Sequence, residues 1–370
     1  RAIGRVTRGS TTGGLGSIVT LSQDAMECSA QAVTRHLSAT TSDVWRITLP
    51  LFHVGGYSIL VRARLCGASV VPVNWDLSTF RSQLEANRVS LLSLVPTQVF
   101  DLVEQGVRAP ESLRAVIIGG GRLEESLHDR ATSLGWPLLQ SYGMTECCSQ
   151  IATATFEEGR VMRLLDHVEA REDAATGRLS IRSRALLSGR IVFDNHITAG
   201  ARAEFEQPVD SDGWFETADR VEIIEKKTQN GALETVLIPK GRIGEVVKVL
   251  GELVDLAKVR SQLDAICEDS RAKGESEYDV LRGRSWLTAI EDGRRGHELA
   301  LIVERPSETG SMDEAMRSSE ILARLSIDLK ERMAPYEKPT RIVWVDKIPR
   351  SSLGKVLLTP NPDWLKSSDR

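Results

Sequence analysis

Long apolar runs are missing from this sequence of 370 residues. The stretches Leu91 to Val95 and Ala115 to Ile118 fall well short of the roughly 20 residues that a membrane-spanning helix needs, so no membrane span is expected. An excess of either charge is missing too. Lys plus Arg number 47 against 51 Asp plus Glu, a net charge of −4, which leaves no electrostatic footprint for a nucleic acid or an anionic membrane surface. The five cysteines, Cys28, Cys66, Cys147, Cys148 and Cys267, include no C-x-x-C pair. Neither a disulfide framework nor a zinc site is expected, and a reducing cytoplasm fits. The first residues hold no basic region followed by an apolar one, so no secretory signal is expected, although the chain opens on Arg1. Internal repeats and low-complexity tracts are absent. A small molecule is the expected ligand, and self-association into a homo-oligomer is left open.

The length gives room for two or three domains and a sizeable core. From about Ser22 to Pro137 helical patterns alternate with short β-rich runs: a helix over Gln23 to Leu37, and strands over Val44 to Leu51, Ser69 to Val73, Leu91 to Val95 and Ala115 to Ile118. That alternation predicts α/β with a mainly parallel sheet. Between Arg178 and Ile224 the chain offers short strands at Arg178 to Arg182, Arg190 to Phe193 and Val221 to Ile224, parted by Gly, Asp and Asn turns, which predicts a smaller β-rich subdomain. After Gly241 come a helical pattern from Val259 to Ile266, a charged solvated stretch from Glu268, strands near Leu287 to Ile290 and Leu299 to Val303, and a long helix near Asp313 to Met333. These read as a small α+β domain.

Several segments could carry chemistry, and each has a plain structural alternative. In Gly9-Ser10-Thr11-Thr12-Gly13-Gly14-Leu15-Gly16-Ser17, glycines let backbone N–H groups turn inward around a phosphate and hydroxyls add donors; a flexible loop has the same composition. In Pro50-Leu51-Phe52-His53-Val54-Gly55-Gly56, a strand end leads to a histidine able to donate to a carboxylate and a glycine pair that would let a ligand approach; a structural histidine is the alternative. Ala115-Val116-Ile117-Ile118-Gly119-Gly120-Gly121 is a buried strand ending where a flat ring could lie on backbone without Cβ atoms, or a tight turn. In Gln140-Ser141-Tyr142-Gly143-Met144-Thr145-Glu146, Tyr142 offers a stacking face, Thr145 a hydroxyl for a phosphate oxygen and Glu146 a carboxylate for Mg²⁺; the alternative is an aromatic turn with a capping threonine. Asp212-Gly213-Trp214-Phe215-Glu216-Thr217-Ala218-Asp219 reads as a turn feeding a strand that ends in a carboxylate suited to ribose hydroxyls, or as a surface acid. In Lys347-Ile348-Pro349-Arg350-Ser351-Ser352-Leu353-Gly354-Lys355, Lys355 can place a positive charge on a developing anion, or be merely solvated.

In this order the segments resemble the core motifs of the adenylate-forming ligases, the family of the acetyl-CoA synthetases and luciferases, over Thr7 to Leu358. Leu49 to Gly56, Ser93-Leu94-Val95-Pro96-Thr97-Gln98 and Ala115 to Gly120 resemble the o-succinylbenzoate-CoA ligases of menaquinone biosynthesis within it. The resemblance implies a large N-terminal AMP-binding domain over 1–240, N-terminally short, with an α/β subdomain and a β-rich subdomain over about 160–240. A small mobile α+β lid over 241–370 would follow.

It also implies ATP, Mg²⁺ and CoA as cofactors and co-substrate, and a carboxylic acid as the molecule activated. Ser10, Thr11, Thr12 and Gly13 would form the phosphate loop, Gly119, Gly120, Gly121, Ser141, Tyr142 and Gly143 the adenine site, and Asp219 and Arg242 the ribose site. Thr145 would sit at the α-phosphate, Glu146 on the metal, and Lys355 between carboxylate and phosphate oxygens. His53, Gly55 and Thr97 would line the acyl pocket. Other readings stay open: a ligase for another aryl or fatty acid, a catalytically weak nucleotide-binding relative, or an enzyme loading a carrier protein. The sequence departs from the pattern at three places. Leu15 and Gly16 stand where the family's loop has Pro-Lys, Gly244 stands where its hinge has Asp, and Ala218 replaces the glycine of its Thr-Gly-Asp. Relatives of this pattern also carry a portion ahead of the phosphate loop, so a compact variant or a lost start is expected, with a sheet edge to cover.

Overall fold

The computed structural model describes residues 2–8, 16–72, 75–193, 203–227, 233–243, 245–250, 252–274, 278–292, 296–305, 314–330, 332–351 and 356. Two compact units divide between Lys240 and Gly241. Along the first unit run β1 (Ala2–Arg8), β2 (Gly16–Ser22), α1 (Gln23–His36), β3 (Val44–Ile47), α2 (Val54–Cys66), β4 (Ser69–Pro72) and α3 (Phe80–Ala86). There follow β5 (Leu91–Leu94), α4 (Pro96–Glu104), β6 (Ala115–Ile118), α5 (Glu125–Ser133) and β7 (Leu138–Met144). Among the described residues, the elements that follow are strands apart from one 3-10 turn: β8 (Ser149–Ala154), β9 (Met162–Leu164), β10 (Val168–Glu172), β11 (Arg178–Ser183), β12 (Gly189–Phe193), β13 (Ala203–Glu206), β14 (Trp214–Lys227) and β15 (Leu233–Arg242), whose last two residues fall in the second unit.

Local chemistry explains the leading elements. The Ser22 hydroxyl accepts the Ala25 N–H at 3.0 Å and starts α1, whose Ala25, Met26, Ser29, Ala30, Ala32 and Val33 are buried at helical spacing. β5 and β6 are buried throughout, as continuous apolar runs in a parallel sheet must be. The large sheet has strand order β10-β11-β14-β15-β9-β8-β7-β6-β5-β3-β4. Its β7-β6-β5-β3-β4 part is parallel and β7 pairs antiparallel with β8, so β7 joins an α/β half to a β-rich half. A second sheet runs β1-β2-β12-β13.

The second unit holds β16 (Val246–Val249), β17 (Glu252–Asp255), α6 (Leu256–Ala272), β18 (Ser285–Asp292), β19 (Gly296–Glu304), α7 (Glu314–Asp328) and β20 (Arg341–Val345). Its sheet order is β17-β16-β19-β18 with β20 parallel to β19, around a core that includes Val254, Val259, Leu287, Leu301 and Leu325.

Several boundaries differ from the sequence expectation. The strand from Val44 ends at Ile47, because Leu51 to His53 form a turn and α2 begins at Val54. The charged stretch after Glu268 prolongs α6 to Ala272 and buries Ser270. The last helix stops at Asp328 rather than Met333, and its Asp328 carboxylate accepts the Tyr278 hydroxyl at 2.7 Å. The strand expected to end at Asp219 continues to Lys227, for a reason that shapes the site.

Candidate active site

Tyr142 and Asp219 meet although 77 residues separate them, the Tyr142 hydroxyl donating to Asp219 Oδ2 at 2.6 Å. Each sits where its strand breaks register. Between β11 and β14 the pairing jumps from Arg178↔Arg220 to Ser180↔Glu216, so β14 bulges around Thr217 to Asp219. Thr217 holds the bulge: its hydroxyl donates to the Leu179 carbonyl at 2.9 Å and accepts the Asp219 N–H at 3.0 Å. A bulge re-aims side chains, and here it turns a mid-strand carboxylate toward β7.

On β7 the register shifts between Tyr142 and Gly143. A Cβ on Gly143 would lie 1.6 Å from the Ser149 carbonyl oxygen, so this close approach requires glycine. Two non-glycine residues with positive φ follow, Cys148 at 53° and Ser149 at 115°. Between them and β7 lies a 3-10 turn, Thr145–Cys147, which carries Thr145 and Glu146.

Glu146 Oε1 accepts from Arg190 Nη2 at 3.1 Å, both side chains being about three-quarters buried, and the Glu146 carbonyl accepts the Leu187 N–H at 2.8 Å. Among the described residues no three His, Cys, Asp or Glu side chains gather as a metal site. Mg²⁺ is commonly held by one or two carboxylates together with substrate phosphates. Glu146 fits a metal that arrives with a nucleotide.

Gly119, Gly120 and Gly121 leave the end of β6. Ser141 Oγ donates to the Ile118 carbonyl at 2.9 Å beneath them, while Gly120 and Gly121 are exposed. Bare backbone is thus presented at the C-terminal edge of the parallel strands, next to Ser141.

The strand order reverses at β3, which pairs with β4 on one side and β5 on the other. A crevice opens at such a switch point, outside the carboxyl ends of the strands. His53 caps α2 after β3, and Thr97 lies in the first turn of α4 after β5. Gln98 ties the two ends together, donating to the Thr48 carbonyl at 3.4 Å and accepting the Val95 N–H at 3.1 Å. The glycine pair after His53 corrects the sequence reading in part. A Cβ on Gly56 would lie 2.4 Å from the Pro50 carbonyl oxygen, so its close approach is to the chain's own backbone. Leu51 and Phe52 stand exposed beside it.

Arg62 escaped the sequence reading. It lies nine positions beyond His53 on α2, fully buried; with the Gln150 amide oxygen facing it, Nη1 and Nη2 donate to that oxygen at 3.2 and 3.1 Å, while Nε has no hydrogen-bond partner. Burial lowers this guanidinium to about 9. The available signal was an arginine directly after the apolar run Ile59-Leu60-Val61. Arg190 escaped as well, since its partner Glu146 is 44 residues away. Of the other expected residues, Arg242 ends β15 and belongs to the second unit; Ser10, Thr11, Thr12, Gly13 and Lys355 lie outside the described residues.

Residues 10–189 match the AMP-binding enzyme family. A 2-succinylbenzoate–CoA ligase of Bacillus subtilis (strain 168) is 26% identical over 340 residues, covering 89% of this chain and 62% of the relative. A 4-coumarate–CoA ligase-like protein of Oryza sativa subsp. japonica is 28% identical over 84% of this chain and 49% of its own length. The chain thus spans less than two thirds of the curated relatives' length. Among solved structures, the Bacillus subtilis o-succinylbenzoate CoA synthetase in complex with its acyl-adenylate intermediate superposes with a TM-score of 0.72 at 24% identity, over 99% of this chain and 69% of that one. ATP-bound MatB from Rhodopseudomonas palustris gives 0.69 at 20% identity, over 95% and 66%. The fold is that of these enzymes.

Proposed function

Residues 10–189 belong to the AMP-binding enzyme family, and from that premise we propose that the chain carries out ATP-dependent ligation of o-succinylbenzoate to CoA through an acyl-adenylate. The observation that carries the reading is the pairing of Tyr142 with Asp219 at 2.6 Å, beside the Gly119 backbone and one turn from Thr145 and Glu146. That set offers a ring face, a ribose acceptor, a phosphate donor and a carboxylate in one place.

In the reaction a carboxylate oxygen attacks the α-phosphorus of ATP and pyrophosphate leaves; the CoA thiol then attacks the acyl carbon and AMP leaves. Tyr142 and the glycine wall would hold the adenine, Asp219 a ribose hydroxyl and Thr145 an α-phosphate oxygen, and the resemblance adds Arg242 to the ribose. The resemblance assigns Ser10, Thr11, Thr12 and Gly13 to the outer phosphates and Lys355 to the oxygens that gain charge in the first step, all of them outside the described residues. Magnesium, when bound at Glu146, neutralises charge on the phosphates.

The acyl group lies at the switch-point crevice between His53, Gly55 and Thr97, where exposed Leu51 and Phe52 offer apolar surface to an aryl ring. o-Succinylbenzoate carries two carboxylates. The five free thiols suit a reducing compartment, the cytoplasm.

The test is pyrophosphate release from ATP and Mg²⁺ with o-succinylbenzoate, benzoate and a medium-chain fatty acid in parallel, each with CoA, against a Lys355→Ala control. Release driven by o-succinylbenzoate and lost in the control supports the reading. Release with another acid keeps the ligase and sinks the substrate. No release with any acid, while ATP still binds, favours a nucleotide-binding relative without turnover.

A further inference from the structure

Gln98 stands between three strand ends. Its Oε1 accepts the Val95 N–H at 3.1 Å and its Nε2 donates to the Thr48 carbonyl at 3.4 Å. Thr48 directly follows β3, and its hydroxyl donates to the Ser93 carbonyl on β5. The β3–β5 register covers Trp45↔Leu91 and Arg46↔Leu92; past it, these bonds of Thr48 and Gln98 hold the strand ends together. On the β6 side, the Gly119 N–H donates to the Leu94 carbonyl at 3.1 Å. A Cβ on Gly120 would meet Val95 Cγ1 at 3.2 Å, and one on Gly121 would meet Pro96 Cγ at 3.5 Å. On the β3 side, the loop after Thr48 leads to His53, whose N–H donates to the Pro50 carbonyl at 2.9 Å. One side-chain amide therefore links the loop of His53 to Val95 and Pro96, which lie against Gly120 and Gly121.

We propose that Gln98 is a positioning residue that sets the spacing between the acyl crevice and the glycine wall. This rests on reading the site as one that forms an acyl-adenylate. The bond to Val95 is a helix cap, since Gln98 is the third residue of α4 and Val95 its N-cap. The bond to Thr48 leaves the helix and does no capping. It uses the second arm of a planar amide that carries a donor and an acceptor together. An acyl-adenylate occupies both sides of the site in one molecule, so its affinity depends on how far apart they are held, whereas AMP occupies the nucleotide side only. Gln98 acts through Thr48 and Val95 and is not itself a contact of either ligand.

The experiment is calorimetric titration of the full chain with AMP, and separately with the non-hydrolysable sulfamate analogue of o-succinylbenzoyl-adenylate, for wild type, Gln98→Glu and Gln98→Met. Glutamate at this position keeps the acceptor for Val95 and loses the donor for Thr48; methionine, of similar length, loses both and carries no charge. Both variants should lose about tenfold or more in affinity for the analogue and bind AMP within about twofold of wild type. Bound AMP also reports that the variants are folded. Unchanged analogue affinity in both variants would overturn the proposal, and so would equal losses for AMP and analogue, the mark of a general loosening. A loss in Gln98→Met alone would assign the effect to the helix cap, and a loss in Gln98→Glu alone to charge repulsion; either overturns the proposal. A wild type that binds AMP but gains nothing from the acyl group would remove the acyl-adenylate reading, and the proposal with it, and keep the nucleotide site. A wild type that binds neither would remove the nucleotide reading as well.

Discussion

The Tyr142 hydroxyl donates to Asp219 Oδ2 at 2.6 Å, and Asp219 is only 9% exposed. This bond ties the strand that ends the parallel half of the sheet to a bulge in the antiparallel half. A hydrogen bond to a carboxylate is worth about 1.5–3 kcal/mol. Tyr142→Phe should therefore lower stability by roughly that amount while keeping the ring face, and should weaken AMP binding modestly. Asp219→Ala removes the ribose acceptor as well, so its AMP affinity should fall by about tenfold or more. Calorimetry on both variants checks the order; equal losses of AMP affinity would mean that Asp219 serves only to position Tyr142.

Gly143 tests the backbone behind that pair. A Cβ there would sit 1.6 Å from the Ser149 carbonyl oxygen, and no rotamer relieves a clash of backbone with Cβ. Gly143→Ala should cost roughly 3 kcal/mol or more, read as a large drop in Tm. Gly55→Ala, whose Cβ would meet Leu49 Cδ1 at 3.4 Å, should be far milder.

What the sequence discloses and what it hides divide along physical lines. Strands β5 and β6 are legible because strands buried on both faces are predominantly apolar, as Ala115 to Ile118 is throughout and Leu91 to Leu94 is apart from Ser93. Tyr142 and Glu146 are legible as residue types that suit a ring and a hard cation. The bulges that aim Tyr142 and Asp219 are not, since a bulge is a relation between two strands and Thr217 acts through Leu179, 38 residues away. The same holds for Arg62 and Arg190, whose partners Gln150 and Glu146 come from distant segments.

Arg62 tests what a buried charge contributes to the first unit. Its charge is buried without a carboxylate partner among the described residues, so Arg62→Leu removes a desolvated charge and should leave Tm near or above the wild type. The same change should leave AMP affinity within about twofold of the wild type, read by calorimetric titration, since Arg62 packs against Gln150 and Ser149 rather than Tyr142 or Asp219. A Tm well below the wild type would show that the bonds of Arg62 to Gln150 and Ser149 outweigh the cost of burying its charge.

Acid should loosen the first unit in two stages with different owners. Burial lowers the His167 imidazole from 6.5 to about 4, with Arg35 and Arg62 adding to burial and Asp166 opposing it. A histidine held neutral in the fold binds fewer protons than when unfolded, so its share of stability is complete above pH 6.5 and is lost between 6.5 and about 4. That share is at most about 3 kcal/mol. Asp43 acts at lower pH. Burial raises its carboxyl, but the Arg114 guanidinium, the Thr40 N–H and the Ser90 hydroxyl outweigh burial and bring it from 3.8 to about 2. Its share is complete above 3.8 and is lost as pH falls through about 2. His167→Phe should therefore flatten Tm against pH over the upper window and leave the decline below it in place. A variant whose Tm still falls in parallel with the wild type from pH 6.5 to about 4 would show that another group titrates there.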